Sequence, residues 1–227
     1  MNTLPTFPGV ICTVDIVLLT IKLERLHVAL WRREREPYQG IPCLPGGFIH
    51  TDDDADARAA ALRVMREKTQ IEMPYLEQLA TFSGQVRDPR GWSVSISYYA
   101  LVPCDLITTV AHPELRLIDV DHLPPLPFDH RPIIDAAVAR LRSKSQYSSL
   151  PCYLLGDSFT LPQLQRLYET LMGEEMNKVS FRRKMTEMDF LEAISGQMEA
   201  AGAHRPAQLY RLKPAYQDRL RLLNRGF

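Results

Sequence analysis

The sequence predicts an α+β protein of two domains: helices around a mixed sheet, then a smaller helical module closed by a β-hairpin. Three observations carry that expectation. Apolar, β-branched runs dominate the first half of the chain. A Leu44-Pro-Gly-Gly47 turn leads through three aspartates into an alanine-rich helical stretch. The last third opens on a helix-capping signature, continues with a basic helix and ends in alternating apolar and polar residues.

In chain order, Val10–Leu23 is rich in Val, Ile and Thr and predicts a strand, with Leu26–Trp31 as its hairpin partner across Lys22–Arg25. Arg32–Gly40 is polar and leads into the Pro-Gly-Gly loop, whose glycines suit a sharp turn. The helix that follows carries apolar residues at Ala55, Ala59, Leu62, Met65 and Thr69, and Asp52, Asp53 and Asp54 suit its N-terminal dipole. Leu76–Ser83 and Ser93–Val102 are further strands joined by Gly84–Trp92, and Leu115–Val120 is a shorter one. Phe128–Lys144 shows a helical stripe at Ile133, Ile134, Ala137, Val138 and Leu141. His130 begins that helix and needs no catalytic role.

Ser143–Asp157 is a composition break rich in Ser with Pro151 and Gly156, and it sets the domain boundary at 1–148 and 149–227. Thr160-Leu-Pro-Gln163 then spells a capping box with Pro162 in the first turn. Leu164, Leu167, Tyr168 and Leu171 form the helix's apolar face, and Gly173 ends it. Asn177–Met188 predicts a second helix, with Phe181, Met185 and Met188 inward and Lys178, Arg182 and Arg183 outward. Gly202–Leu212 is a glycine-led turn into a terminal strand. Helix, turn, basic helix and hairpin is the order of a winged helix-turn-helix.

Bulk properties bound the function. At 227 residues the chain can bury one large core or two modest ones, and 45% hydrophobic with 24% charged residues is a globular composition. Net charge is zero but uneven. Residues 160–227 carry 11 Lys and Arg against 8 Asp and Glu, whereas residues 1–159 carry 16 against 19. That permits a nucleic-acid face in the last third. Cys12, Cys43, Cys104 and Cys152 are scattered without a C-x-x-C pair, so reduced thiols in a cytoplasmic protein are expected. No secretion or membrane signal is expected, since Val10–Leu23 is interrupted by Asp15 and Lys22.

The stretch from Gly47 to Ile71 resembles the Nudix box, G-x5-E-x7-R-E-U-x-E-E-x-G-U. Asp53 occupies the first glutamate position. With two extra residues in the spacer, the core reads Arg63-Val64-Met65-Arg66-Glu67-Lys68. In a working box, carboxylates at i, i+3 and i+4 share a helix face and hold Mg²⁺ against a diphosphate. Here those positions are Val64, Glu67 and Lys68, and the closing glycine is Gln70. One carboxylate of three remains and an ammonium stands where a dication belongs, so no metal and no catalytic residue are expected.

Both halves together resemble the NrtR family of Nudix-related transcriptional regulators of NAD metabolism. The resemblance rests on Pro45-Gly46-Gly47-Phe48, the altered box, Arg87-Asp-Pro-Arg-Gly91, Phe159–Tyr168, Asn177–Lys184 and Arg205-Pro-Ala-Gln-Leu-Tyr210. It implies a Nudix-like α/β/α sandwich that senses ADP-ribose or a related nucleotide, fused to a C-terminal winged helix. It also implies a homodimer on a palindromic DNA operator, repressing NAD biosynthesis or salvage genes. The ligand set implied is Arg87, Arg90, Gly46, Gly47, Phe48 and Lys68. Arginine forks suit a diphosphate, although Arg87 and Arg90 taken alone read equally as loop ion pairs with Asp88. Lys68 stands in for the metal, and Trp92 is placed to stack on a base, although Trp at a loop's end is more often packing and Phe48 taken alone reads as core. The DNA set is Lys178, Ser180, Arg182, Arg183, Lys184 and Arg205. The competing reading is a Nudix hydrolase cleaving ADP-ribose with an accessory C-terminal domain, and Val64 and Lys68 argue against it.

Overall fold

The computed structural model describes residues 9–72, 75–109, 112–199 and 206–216. Strands β1 (Ile11–Lys22) and β2 (Arg25–Arg32) form the expected hairpin. Its tight turn places Leu23 and Glu24 in the left-handed region, at φ of 50° and 58°. Two short strands flank the Pro-Gly-Gly segment, β3 (Pro42–Cys43) on β2 and β4 (Gly46–Phe48) on β1. Helix α1 (Ala57–Thr69) follows, then β5 (Tyr75–Gly84), β6 (Ser93–Leu101), α2 (Cys104–Thr109), β7 (Leu115–Asp119) and α3 (His130–Ser145). β6 runs parallel to β1 and the other pairings are antiparallel, so the seven-stranded sheet is mixed as expected.

The two-residue period of β1 sorts its side chains between two helical layers. Val14, Ile16 and Leu18 face α1, where Ala60, Ala61, Val64 and Met65 cover them. Val17 and Leu19 face α3 and its Ile133, Ile134, Ala137 and Leu141. The buried stripe of α1 is therefore Ala60, Ala61, Val64, Met65 and Thr69, rotated from the expected stripe. Ala55 precedes the helix, and Ala59 and Leu62 stay half-buried. Alanines on every side left the periodicity indeterminate, and the two large side chains Val64 and Met65 set the orientation.

A second unit comprises β8 (Phe159–Thr160), α4 (Leu161–Met172), α5 (Lys178–Met188), β9 (Leu191–Glu199) and β10 (Ala207–Leu212), with β10 paired between β8 and β9. The Thr160–Gln163 capping box forms, Gly173 closes α4 in the left-handed region, and the four anticipated apolar residues of α4 are buried. The Ser-rich stretch between the units is not an exposed linker. Ser145, Ser148 and Ser149 are buried, and a 3₁₀ turn over Leu150–Leu154 packs into the same core as α3 and α4. The Tyr168 hydroxyl donates to the Ser148 carbonyl at 3.0 Å. Helices α3 and α4 thus share one continuous apolar cluster that reaches Phe181, Met185 and Phe190.

Candidate ligand pocket and nucleic-acid interface

The Pro-Gly-Gly segment is shaped by close approach, not by turn freedom. Neither Gly46 nor Gly47 adopts a positive φ. A Cβ on Gly46 would run into the Asp15 carboxylate and come within 2.9 Å of the Val14 carbonyl, and one on Gly47 would lie 3.0 Å from Val64 Cγ2. Glycine lets β4 pair with β1 while α1 packs directly behind it. This arrangement walls a cavity of about 450 Å³ between β1, β2, β4, α1, the β5–β6 loop and the start of α3.

Arg63 stitches the loop to the helix. Its Nε and Nη2 donate to the two oxygens of Asp54 at 2.9 and 2.8 Å, Nη2 also donates to the Phe48 carbonyl, and Nη1 reaches Glu67 at 3.3 Å. Asp54 is 3% exposed whereas Asp53 is 75% exposed, so Asp54 and not Asp53 is the structural acid of the box. The Arg63 hydrogen bonds hold the Asp54 carboxyl down at about 2. Glu67, the one remaining box carboxylate, faces Arg63. Val64 is buried against Gly47, and Lys68 lies 5.5 Å from the centre of the Trp31 ring. Burial lowers the Lys68 pKa, with Cys43, Glu34 and Asp15 opposing that shift. One carboxylate, one buried alkyl group and one ammonium do not make a Mg²⁺ site. Among the described residues no cluster of three metal-ligating side chains occurs.

All six anticipated ligand residues, Gly46, Gly47, Phe48, Lys68, Arg87 and Arg90, line this cavity. Both arginine forks already have carboxylate partners. The Arg87 fork does not point at open space but closes on Asp129 through Nε and Nη2 at 2.9 and 2.8 Å, with Asp15 at 3.5 Å. The Arg90 fork closes on the buried Asp88 at 3.0 and 2.7 Å, and its guanidinium stacks 5.1 Å over Phe48. Phe48 is 48% exposed, a pocket residue and not core. Trp92 is outside the cavity lining, so the aromatic surface available there comes from Phe48, Trp31 and Phe128.

Several lining residues escaped the sequence. Asp15, Arg33, Trp31, Phe128 and His130 come together only through the sheet register and the α3 start. His130 accepts the Leu44 amide proton on Nδ1 at 3.0 Å, which leaves Nε2 toward Asp15 at 3.6 Å. Burial pushes the His130 pKa below the usual imidazole range, against the pull of Asp15 and Asp129. Phe128 sits at φ 55°, flanked by Tyr38 at 5.0 Å and Arg33 at 4.9 Å. A hint was present in the alternating Arg33-Glu-Arg-Glu36 run, which a solvated loop explains equally well. Chemically, the pocket offers aromatic faces and a majority of cations, a fit for a nucleotide-sized anion.

In the second unit, Asn177 caps α5 by accepting from the Val179 and Ser180 amides. Lys178, Ser180, Arg182 and Arg183 are exposed, while Phe181, Met185 and Met188 are buried as expected. Lys184 is half-buried on the flank of the helix. Arg205, with its neighbour His204, lies outside the described residues.

A model of the NrtR DNA-binding winged helix domain matches residues 151–212. An Acinetobacter baylyi protein described as the ADPR responsive transcriptional repressor NtrR is 38% identical over 93% of this chain and 85% of its own length. The chain belongs to the NrtR family. Shewanella oneidensis NrtR, in a crystal complex with a 27mer DNA, matches with a TM-score of 0.86 and 36% identity, covering 95% of this chain and 99% of that one. The NUDIX domain of that Shewanella protein, crystallised with ADP ribose, matches with a TM-score of 0.51 and 36% identity, over 62% of this chain and 94% of its own length. The architecture is accordingly a Nudix-like sandwich followed by a winged helix, as in other NrtR family members.

Proposed function

We propose that this protein is a DNA-binding transcriptional repressor whose Nudix-like domain, residues 1–148, senses ADP-ribose without hydrolysing it. Residues 149–227 bind a palindromic operator as part of a homodimer, and the regulated genes serve NAD biosynthesis or salvage. The observation that carries this reading is the pairing, in one NrtR-family chain, of a cationic nucleotide-sized pocket with an outward basic helix. In the pocket, Arg90 and Lys68 face the diphosphate, and Phe48 offers a ring to the base or ribose. Arg87 holds the wall in place through Asp129.

The route between the sites is α3. It starts at His130 in the pocket wall, and its later turns pack on α4. A ligand that shifts Arg87 and Asp129 shifts the start of that helix, and linkage then requires that operator DNA change ligand affinity by the same factor, in the same sense, as the ligand changes affinity for the operator. The test is a mobility shift with DNA upstream of the protein's own gene, with and without ADP-ribose, alongside an assay of Mg²⁺-dependent AMP release. A specific shift altered by ADP-ribose, with no AMP release, is expected. Specific AMP release would overturn the non-hydrolytic part, and absence of any sequence-specific shift would overturn the repressor.

A further inference from the structure

Helix α5 has a clean inner face, so its outer face can be located without reference to any partner. Phe181, Met185 and Met188 define the buried direction. At about 100° per residue, Val179 and Arg183 project almost opposite to that direction, with Thr186 beside them. Val179 is 76% exposed, an apolar β-branched side chain at the centre of an otherwise polar surface. It serves no core, and its backbone is held by the Asn177 cap at 3.0 Å. Its β-branching leaves one preferred side-chain rotamer in a helix, so its methyl groups are held in place.

The N-terminal residues of a recognition helix are those that reach base edges in the major groove, and the apolar feature there is the thymine 5-methyl group. We propose that Val179 is a specificity-determining residue that packs against a thymine methyl in each half-site. This rests on the DNA-binding reading above. Arg182 and Arg183 hold the helix to phosphates on either side, while Val179 supplies discrimination that neither guanidinium can, because a methyl group offers no acceptor.

The experiment uses the full-length protein. Binding sequences are selected from a randomised duplex library, and each thymine in the recovered motif is then replaced singly by deoxyuridine, which removes only the methyl. Burial of one methyl group corresponds to about fourfold in affinity. One thymine per half-site is expected where the uracil substitution weakens the wild type by that factor and leaves Val179→Ala unchanged, with Val179→Ser giving the same insensitivity. Identical uracil profiles for wild type and both variants, or a motif in which no thymine methyl matters, would overturn the proposal while leaving the DNA-binding reading intact. Failure to enrich any sequence would remove that reading, and the proposal with it.

Discussion

Arg87 and Asp129, 42 residues apart, meet through two parallel hydrogen bonds of 2.9 and 2.8 Å that join the β5–β6 loop to the residue preceding α3. The Arg87 side chain is 7% exposed, and a third contact runs from its Nη1 to Ser93 at 3.2 Å. The arginine that sequence reasoning assigns to the ligand is therefore already neutralised by Asp129 and Asp15. It sets where α3 begins.

Removing it should strand two carboxylates. Arg87→Ala is expected to destabilise the protein by about 3 kcal/mol, the usual cost of breaking a buried pair on one side. The double variant with Asp129→Ala should cost less than the sum of the singles, with a coupling of about 2 kcal/mol in denaturant unfolding. Strictly additive costs would show that the fork contributes nothing of its own.

Asp54 sets an acid limit. Its carboxyl pKa falls from 3.8 to about 2 through the Arg63 hydrogen bonds, with burial opposing and the His50 amide assisting. A depressed acid stabilises the fold above its unfolded pKa, and that contribution disappears as pH falls through the folded value. The stability gap between wild type and Asp54→Asn should be constant above about pH 5 and close progressively toward pH 2.

Gly46 tests the packing account of the Pro-Gly-Gly segment. Because a Cβ there meets the Val14 carbonyl at 2.9 Å as well as Asp15, Gly46→Ala should cost about 2 kcal/mol by forced backbone displacement. Gly40→Ala, with open space around it but a φ of 82°, should cost about 1 kcal/mol from backbone strain alone. Calorimetric melting distinguishes them.

Much of this fold was legible because its signals are local. A β-branched run marked β1, apolar stretches between turn residues marked β2, β5, β6 and β7, a capping box marked α4, and a stripe containing Phe181, Met185 and Met188 oriented α5. The miss on α1 came from alanine, which leaves the helical face undetermined. The pocket was legible only as far as its motif. Phe128, His130 and Asp15 lie on separate elements, and only the β1–β4 pairing and the α3 start bring them together. The partner of Arg87 was hidden for the same reason, since sequence distance does not reveal that Asp129 fills its fork. The pairing of Arg90 with Asp88, two residues away, is local and was open to the sequence.

Lys68 separates a ligand role from a structural one. Burial disfavours its ammonium in the free protein, against the attraction of the Trp31 ring face, so Lys68→Met should leave stability unchanged or raised. Affinity for ADP-ribose should fall by about tenfold, or about 1.4 kcal/mol. In the wild type, that affinity should weaken as pH rises through the depressed Lys68 pKa, below its ordinary 10.5, because deprotonation removes the cation. The methionine variant should lose that dependence. Titration calorimetry at two pH values reads both effects, and unaltered affinity in Lys68→Met would remove Lys68 from the site.

The basic face of α5 makes a prediction in salt rather than in affinity alone. Arg182 is exposed, and Arg183 is 74% exposed with only a loose 3.8 Å pairing to Glu187, so neither has a structural task to lose. If each neutralises one phosphate per protomer, each contributes about 0.9 to the slope of log K against log salt. Arg182→Ala/Arg183→Ala should therefore flatten that slope by about 1.8 per protomer and weaken operator and random DNA alike. Val179→Ala should leave the slope unchanged and weaken only the operator. The distinction matters because an arginine that reads a guanine edge also lowers affinity when removed, but it does so selectively for the operator, and its effect on random DNA is small. Fluorescence anisotropy on both duplexes across a salt series separates these cases, and a slope unaffected by the double substitution would place the phosphate contacts elsewhere on the winged helix.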